Sequence, residues 1–408
     1  MKTYKIEDCC DILDSHRIPL NKQQRQKIQG KVPYYGANGV QDYINDFIFD
    51  EDLILIAEDG GNFEQFATRP IAYKISGKSW VNNHAHILRA KSGFDQDFIF
   101  YSLVNKNILN FISGGTRSKL NQSELRAITL DLPEHKEQNK IAEILVTIDR
   151  AIAQTEALIA KHQRIKTGLM QDLLTRGIDE HGQLRDPSTH RFKSTPLGMV
   201  PEEWKVAPLS TTYKSPIRDF GSFSMTNLID FIDSGVPFIK SEMIEEENLN
   251  PKSVMYISPE VHQALKKSWV YPGNVLYSKI GSALGNALVY DGRFGVCNSN
   301  AAVAKIDVDE KIALSNYIVM VLNSSETRLR LKQSIVSLLP RLNLTDISNF
   351  ELRLPSIPEQ RRMIEVRQGL LDEINNEKTR LEKLQKMKTG LMQDLLSGKV
   401  SIKPLIEG

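Results

Sequence analysis

Gly77-Lys78-Ser79 has the residue types of a phosphate-gripping loop but not its spacing. Such a loop needs a glycine five positions before Gly77, and Ala72 stands there. No G-x-G-x-x-G follows a strand-like run, so nothing is laid out to cradle a dinucleotide pyrophosphate. The N-P-P-Y or D-P-P-Y words with which amino-methyltransferases hold a target base are missing, and Asp186-Pro187-Ser188 is no substitute. His84 and His86 alternate within NHAH as strand residues do, with no third ligand at a metal-binding spacing. Cys9, Cys10 and Cys297 fit no zinc pattern and leave one thiol unpaired, which reads as reduced cysteines in a cytoplasmic protein. Asp59-Gly60-Gly61 reads as a turn and Glu245-Glu246-Glu247 as a solvated charge run. The expectation is a chain with no catalytic residue, no metal and no bound cofactor of its own.

The polar words that remain suit recognition. GKVPYYGANG (30–39) sets Lys31, Tyr34, Tyr35 and Asn38 among glycines that let backbone approach a ligand closely. SGGTRSKLN (113–121) carries Arg117 and Lys119, and PRLN carries Arg341. YSKIGSALGN (277–286) carries Lys279 and Asn286, and Lys240 lies in a strand-like run. Lysine and arginine suit phosphates and guanine edges, and asparagine suits adenine. These ten residues are the candidate DNA contacts.

The elements that must position them are written twice. KTGLMQDLL stands at 166–174 and again, letter for letter, at 388–396, an offset of 222 residues. The same offset holds upstream without a gap and gives 20 identities over the 55 positions of 120–174 and 342–396. The blocks before each copy, 1–119 and 197–341, show no comparable match. A period above 200 residues is too long for a solenoid and indicates a duplicated half-protein. Each repeat reads as one long helix, over 134–176 and 356–398, about 40 residues and about 60 Å long. The first has an apolar stripe through Ile141, Ile148, Ile152, Ile165 and Leu169. The second runs through Met363, Val366, Leu370, Ile374, Leu381, Met387 and Leu391. A stripe on so long a helix needs a partner helix, and each copy suits the other. As symmetry mates they should pack antiparallel, with an approximate two-fold axis across the pair.

Both variable blocks read as mixed α/β. The first offers strand-like runs at 47–60, 69–76 and 84–90, then a helix at 94–112. The second offers strands at 236–244, 273–281, 286–290 and 300–306, then a helix at 316–335. Residues 177–203, rich in Gly, Pro and charge, read as an irregular connector, and 399–408 as a tail. The chain is 41% hydrophobic and 25% charged with net charge +2, and has no apolar run of about 18 residues, so no membrane span is expected. Any basic surface must be local.

The duplicated LP…EQ…helix…KTGLMQDLL unit resembles the specificity subunit of type I restriction–modification systems. FKSTPLGMVPEEW (192–204) looks like that family's lead into its second domain, and PYYGANG like one common type of target recognition domain. The resemblance implies two α/β (α+β) target recognition domains, 1–133 and 204–355, joined by the two helices as a coiled-coil spacer. Each domain would read half of an asymmetric double-stranded DNA site, and the helices would set the gap. They would also dock two modification (methylase) subunits, which bring S-adenosylmethionine, with restriction and translocase subunits adding ATP and Mg. Three alternatives stand beside this reading: a coiled-coil scaffold with protein-binding ends, a solitary specificity protein without restriction, and a methyltransferase in its own right.

Overall fold

The computed structural model describes residues 1–114, 118–221, 223–246, 248–251, 254–334 and 341–407. Two compact units emerge: residues 1–157 with 378–408, and residues 158–377. The divisions fall inside the two long helices, so each unit holds half of each helix.

The first unit is built on Leu53–Ala57, LILIA, every residue of which is buried. A central strand covered on both faces reads as a continuous apolar run. It pairs antiparallel with Ala72–Ile75 and with Ala85–Ala90, and Cys10–Ile12 adds a fourth strand. Ile54 and Ile56 face a core shared with Phe98, Ile99 and Leu103 of the helix Gln96–Val104. Leu53 and Leu55 face the opposite core, with Ile75, Ile87 and Val81. A second four-stranded sheet runs Gly39–Ile44, Gln29–Gly36, Lys78–Val81, Phe49–Asp50. GKVPYYGANG is therefore mostly strand. Its β-branched and aromatic residues pair across a tight turn at Ala37–Asn38, where Gly39 takes φ 121°.

The second unit repeats the plan. Val275–Ser278 lies between Ala287–Val289 and Val303–Ile306. A second sheet runs Met255–Ile257, Val236–Ile239, Cys297–Ser299, Trp269–Val270. The helix expected at 316–335 is two, Ser315–Leu322 and Ser325–Ser334. Asn323 stands at the break. Its side chain accepts from Ala287 N at 2.9 Å and donates to Ala287 O at 2.8 Å, tying the helix end to the neighbouring strand. The connector is more ordered than its composition indicates. Phe192–Thr195 and Gly198–Pro201 form a hairpin across the turn Pro196–Leu197, with Gly198 leaving it at φ 86°.

In both units a strand of the repeat pairs antiparallel with a strand that opens the variable domain. Thr129–Leu132 pairs with Lys2–Lys5, and Glu351–Leu354 with Lys205–Pro208. The long helices follow, His135–Thr175 and Ile357–Leu396, within two residues of the predicted bounds. A buried glutamine fixes each start. Gln138 donates to Pro133 O at 2.9 Å and accepts from Asp95 N at 2.9 Å. Gln360, 222 positions on, donates to Pro355 O at 2.9 Å and accepts from Leu314 N at 2.8 Å. Asp95 and Leu314 are the N-cap residues of the two domain helices. One side chain thus locks the repeat to the helix of whichever variable block precedes it.

In the first unit Ile141, Leu145 and Ile148 are buried, and Leu391, Met392 and Leu395 pack into the core that holds Ile141 and Leu145. Lys388 Nζ meets Asp149 at 2.6 Å. In the second unit Leu169, Met170, Leu173 and Leu174 share a core with Met363 and Ile364. Ile374 is buried, while Ile152, Leu370 and Leu381 are half-buried. Three stripe residues depart from expectation: Ile165, Val366 and Met387 are 45%, 40% and 56% exposed. At Val366 the burial falls instead on its neighbour Arg367, whose alkyl stem can cover apolar surface.

Candidate nucleic-acid interface

In the first unit four loops meet at the end of Leu53–Ala57. Leu120 N donates to Glu58 O at 2.8 Å, and Gly60 N to Ser118 O at 3.2 Å. Asn38, exposed in the hairpin turn, donates to Gly60 O at 3.0 Å. Glu58 N donates to His84 O at 2.9 Å, and the His84 ring lies 3.0 Å from Asp59. Arg17 and Lys119 both pair with the Glu58 carboxylate, at 2.6 Å and 3.3 Å. Burial works to raise the Glu58 pKa, but the Arg17 hydrogen bond and the nearby cations outweigh it and hold Glu58 below the ordinary carboxylate range. Arg17 also meets Asp14 at 3.6 Å and Asp59 lies in the same cluster, so the cluster has no excess of positive charge; Lys119 is its exposed cation, the one placed to reach a phosphate.

His86 belongs to the frame beneath. It is buried, with Nδ1 2.6 Å from Asp14 and Nε2 2.8 Å from Leu120 O. Asp14 also accepts from Ile87 N and Gln122. Its burial opposes ionisation, but the His86 bond and its other donors lower its pKa overall. The two histidines of NHAH are thus each committed to a carboxylate. No group of three or more metal-ligating side chains occurs among the described residues.

The second unit holds the counterpart. Leu342 N donates to Lys279 O at 2.9 Å, as Leu120 does to Glu58. Arg341 is exposed and bridges Ile280 as Lys119 bridges Asp59. The residue before the repeat is therefore an exposed cation at the same place in both units. Lys279 is only 2% exposed and pairs with Asp219 at 3.1 Å. Arg218 shares a main-chain bridge with Lys305 and lies 5.7 Å from the Tyr271 ring. Lys305 is 1% exposed and donates to Ser299 Oγ at 3.2 Å.

The structure sorts the ten sequence candidates. It brings Asn38 and Lys119 together, and gives Arg341 the position equivalent to Lys119. Lys31 is exposed at the far end of its strand from the turn. Lys240 pairs weakly with Glu242 at 4.0 Å and lies 5.4 Å from the Phe231 ring. Three candidates are corrected. Tyr34 is 1% exposed, its hydroxyl bonded to Leu20 and its face under Arg25 at 5.0 Å, so it holds the sheet. Lys279 is buried in its ion pair. Asn286 uses its amide on Ile244 O at 2.9 Å and its oxygen on Arg328 at 3.0 Å. Tyr35 is half-buried against Tyr73, with ring centroids 6.1 Å apart. Arg117 lies outside the described residues. Sequence reasoning missed Arg17, Glu58, Arg218 and Asp219, whose partners are far along the chain.

The comparisons with known proteins bear on this frame. The family described as "Type I restriction modification DNA specificity domain" matches residues 1–162 and 217–386, one match in each half of the duplication. The chain belongs to that family. Among its relatives is a Haemophilus influenzae chain provisionally named a type I restriction enzyme specificity subunit. It is 26% identical over 364 residues, covering 88% of this chain and 85% of that one. The type I restriction enzyme MjaVIII specificity subunit of Methanocaldococcus jannaschii is 24% identical, covering 93% and 88%. The crystal structure of the S subunit of a type I restriction–modification system from M. genitalium has the same fold. It aligns with a TM-score of 0.61 at 14% identity, over 97% of this chain and 95% of that one. Membership makes this a type I specificity subunit with two DNA-specificity domains. Such subunits recognise DNA and are not catalytic, catalysis lying in partner subunits of the complex. No helix among the described residues is long and apolar enough to cross a membrane.

Proposed function

We propose that each unit of this specificity subunit reads one half of an asymmetric, interrupted double-stranded DNA site, and that the two long helices form an antiparallel coiled-coil spacer that sets the gap. One observation carries this reading. Identical frames, the buried Gln138 and Gln360 clamps and the Leu120 and Leu342 bonds, hold variable blocks that share no comparable sequence. Two different readers on one repeated frame give two different half-sites. The spacer reading draws support from the shared cores, which pair the first helix's start with the second's end in one unit and the reverse in the other.

Lys119 and Arg341 serve as phosphate contacts at the mouth of each reader, with Asn38 at a base edge. Lys31 and Lys240 are secondary phosphate contacts, as is Arg117. The repeated helices dock two modification subunits, which bind S-adenosylmethionine and methylate adenine. Restriction and translocase subunits supply ATP- and Mg-dependent cleavage in the cytoplasm. The test is methylome sequencing of a host expressing this chain with the modification subunit of its system. A bipartite motif methylated on adenine in both halves is expected. New methylation at an uninterrupted motif would sink the two-reader model, and none at all, with both proteins associated, would favour a scaffold.

A further inference from the structure

KTGLMQDLL is unchanged between the helices, whereas 120–165 and 342–387 agree at only 11 of 46 positions. The fold accounts for six of the nine residues. Leu169, Met170, Leu173 and Leu174 enter one core, and Leu391, Met392, Leu395 and Leu396 the other. Lys388 pairs with Asp149 at 2.6 Å, and Lys166 with Glu246 at 4.0 Å. Asp172 pairs with Arg176 at 3.5 Å, and Asp394 with Lys399 at 3.6 Å.

Threonine, glycine and glutamine remain: the threonine and the glutamine are exposed in both copies, Gly168 is exposed and Gly390 half-buried. The glycine is the telling one. Gly168 and Gly390 lie inside their helices, without the positive φ that favours glycine. A Cβ built on either would meet nothing within 4 Å. Glycine inside a helix is destabilising relative to alanine, and nothing in this chain asks for it. Around each glycine, three or four residues away, lie a cation, a bare apolar side chain and an amide. They are Arg164, Ile165 and Gln171 in one copy, and Lys386, Met387 and Gln393 in the other. Ile165 and Met387 are the stripe residues found 45% and 56% exposed.

A missing Cβ lets a second helix approach to the short end of the helix–helix distance range. We infer that Gly168 and Gly390 are the close-approach points for one helix from each of two modification subunits, which cover Ile165 and Met387 on contact. This rests on the docking reading above. One shape written twice on a chain fits a partner present in two copies. A second copy of this chain would bring two such faces of its own and propagate into an open assembly instead of a closed one. Gly369 is the internal control. It too is exposed, helical and surrounded by open space, but its counterpart is Thr147, so it belongs to no repeated face.

The experiment mixes the full chain with the modification subunit of its system and counts bound copies by native mass spectrometry. Gly168→Gln and Gly390→Gln are each expected to cut the bound copies from two to one, and together to none. Gly369→Gln should keep two. Melting temperatures of all three variants alone should equal or exceed that of the unchanged chain. Two copies bound by the double variant would overturn the inference while leaving docking intact. A lowered melting temperature for Gly168→Gln or Gly390→Gln would also overturn it, by showing that the chain itself needs the glycine. An unchanged chain that binds no modification subunit would overturn the docking reading and the inference together.

Discussion

Single residues divide into those that hold a frame and those left to meet a ligand, and burial makes the division. Glu359 is a frame residue. It accepts from Ile178 N, Trp204 Nε1 and the Arg185 guanidinium, and Gly177 at φ 63° passes so close that a Cβ would collide with its carboxylate. Burial opposes the charge on Arg185, but Glu359 more than compensates and its pKa is raised. At Lys305 the nearby Asp219 acts in the same sense but does not make up for burial. Burial pushes the lysine amine down to about 7, with Arg218 adding to the effect, and the amine donates to the neutral Ser299 hydroxyl. Because its folded pKa lies below its unfolded value, the unfolded chain holds a proton that the folded chain sheds between pH 7 and about 10.4. Stability should therefore rise with pH across that window, and the cost of the buried charge is fully present below it. Lys305→Met keeps the stem and removes the amine, so it should stabilise the fold by on the order of 1–3 kcal/mol at pH 6. The gain should shrink towards pH 10. Chemical denaturation at both pH values checks this, and a destabilised variant would mean the amine makes a favourable contact.

At the scale of elements, helix length is the working quantity. If the helix pair is the spacer, each turn inserted in both helices, within 145–160 and 367–382, adds about 5.4 Å. At about 3.4 Å per base pair, that widens the gap by one to two base pairs per turn. Both half-sites should stay as they were, and methylome sequencing reads gap and half-sites together. An unaltered gap would end the spacer reading. The helices were legible in the sequence because 40 residues of 3.6-residue periodicity, written twice, leave little else to form. Their apolar stripe was legible except where it faces outward, since periodicity does not say which neighbour covers a residue. The strands of the variable blocks were legible where both faces are buried, as in LILIA. GKVPYYGANG does not show itself as a strand, because its glycines mask a pairing set by distant residues, Trp80 and Val81. The candidate site was legible only in part, for the same reason. Lys119 and Arg341 could be placed by the repeat, but Tyr34 and Lys279 looked like surface residues until Leu20 and Asp219 were seen against them.

For the whole molecule, the duplication gives two DNA-specificity domains that differ in sequence but share one mounting. Gln138 bonds to the backbone of Asp95 and Pro133, and Gln360 to that of Leu314 and Pro355. A clamp that reads backbone and not side chain accepts any block whose last helix begins in the right place. Residues 1–119 should therefore be exchangeable for the matching block of another type I specificity subunit, provided the incoming helix keeps a free N–H at the position of Asp95. The exchanged chain should fold, bind the same modification subunits through unchanged helices, and methylate a new motif. Only one half-site should differ, and the gap and the other half-site should be retained. A change in both half-sites would mean that the readers are coupled and that recognition belongs to the molecule as a unit. Gln138→Leu in the exchanged chain separates mounting from reading. It leaves Asp95 N without its acceptor, a loss worth on the order of 1–3 kcal/mol. Thermal stability should fall while the motif stays the same.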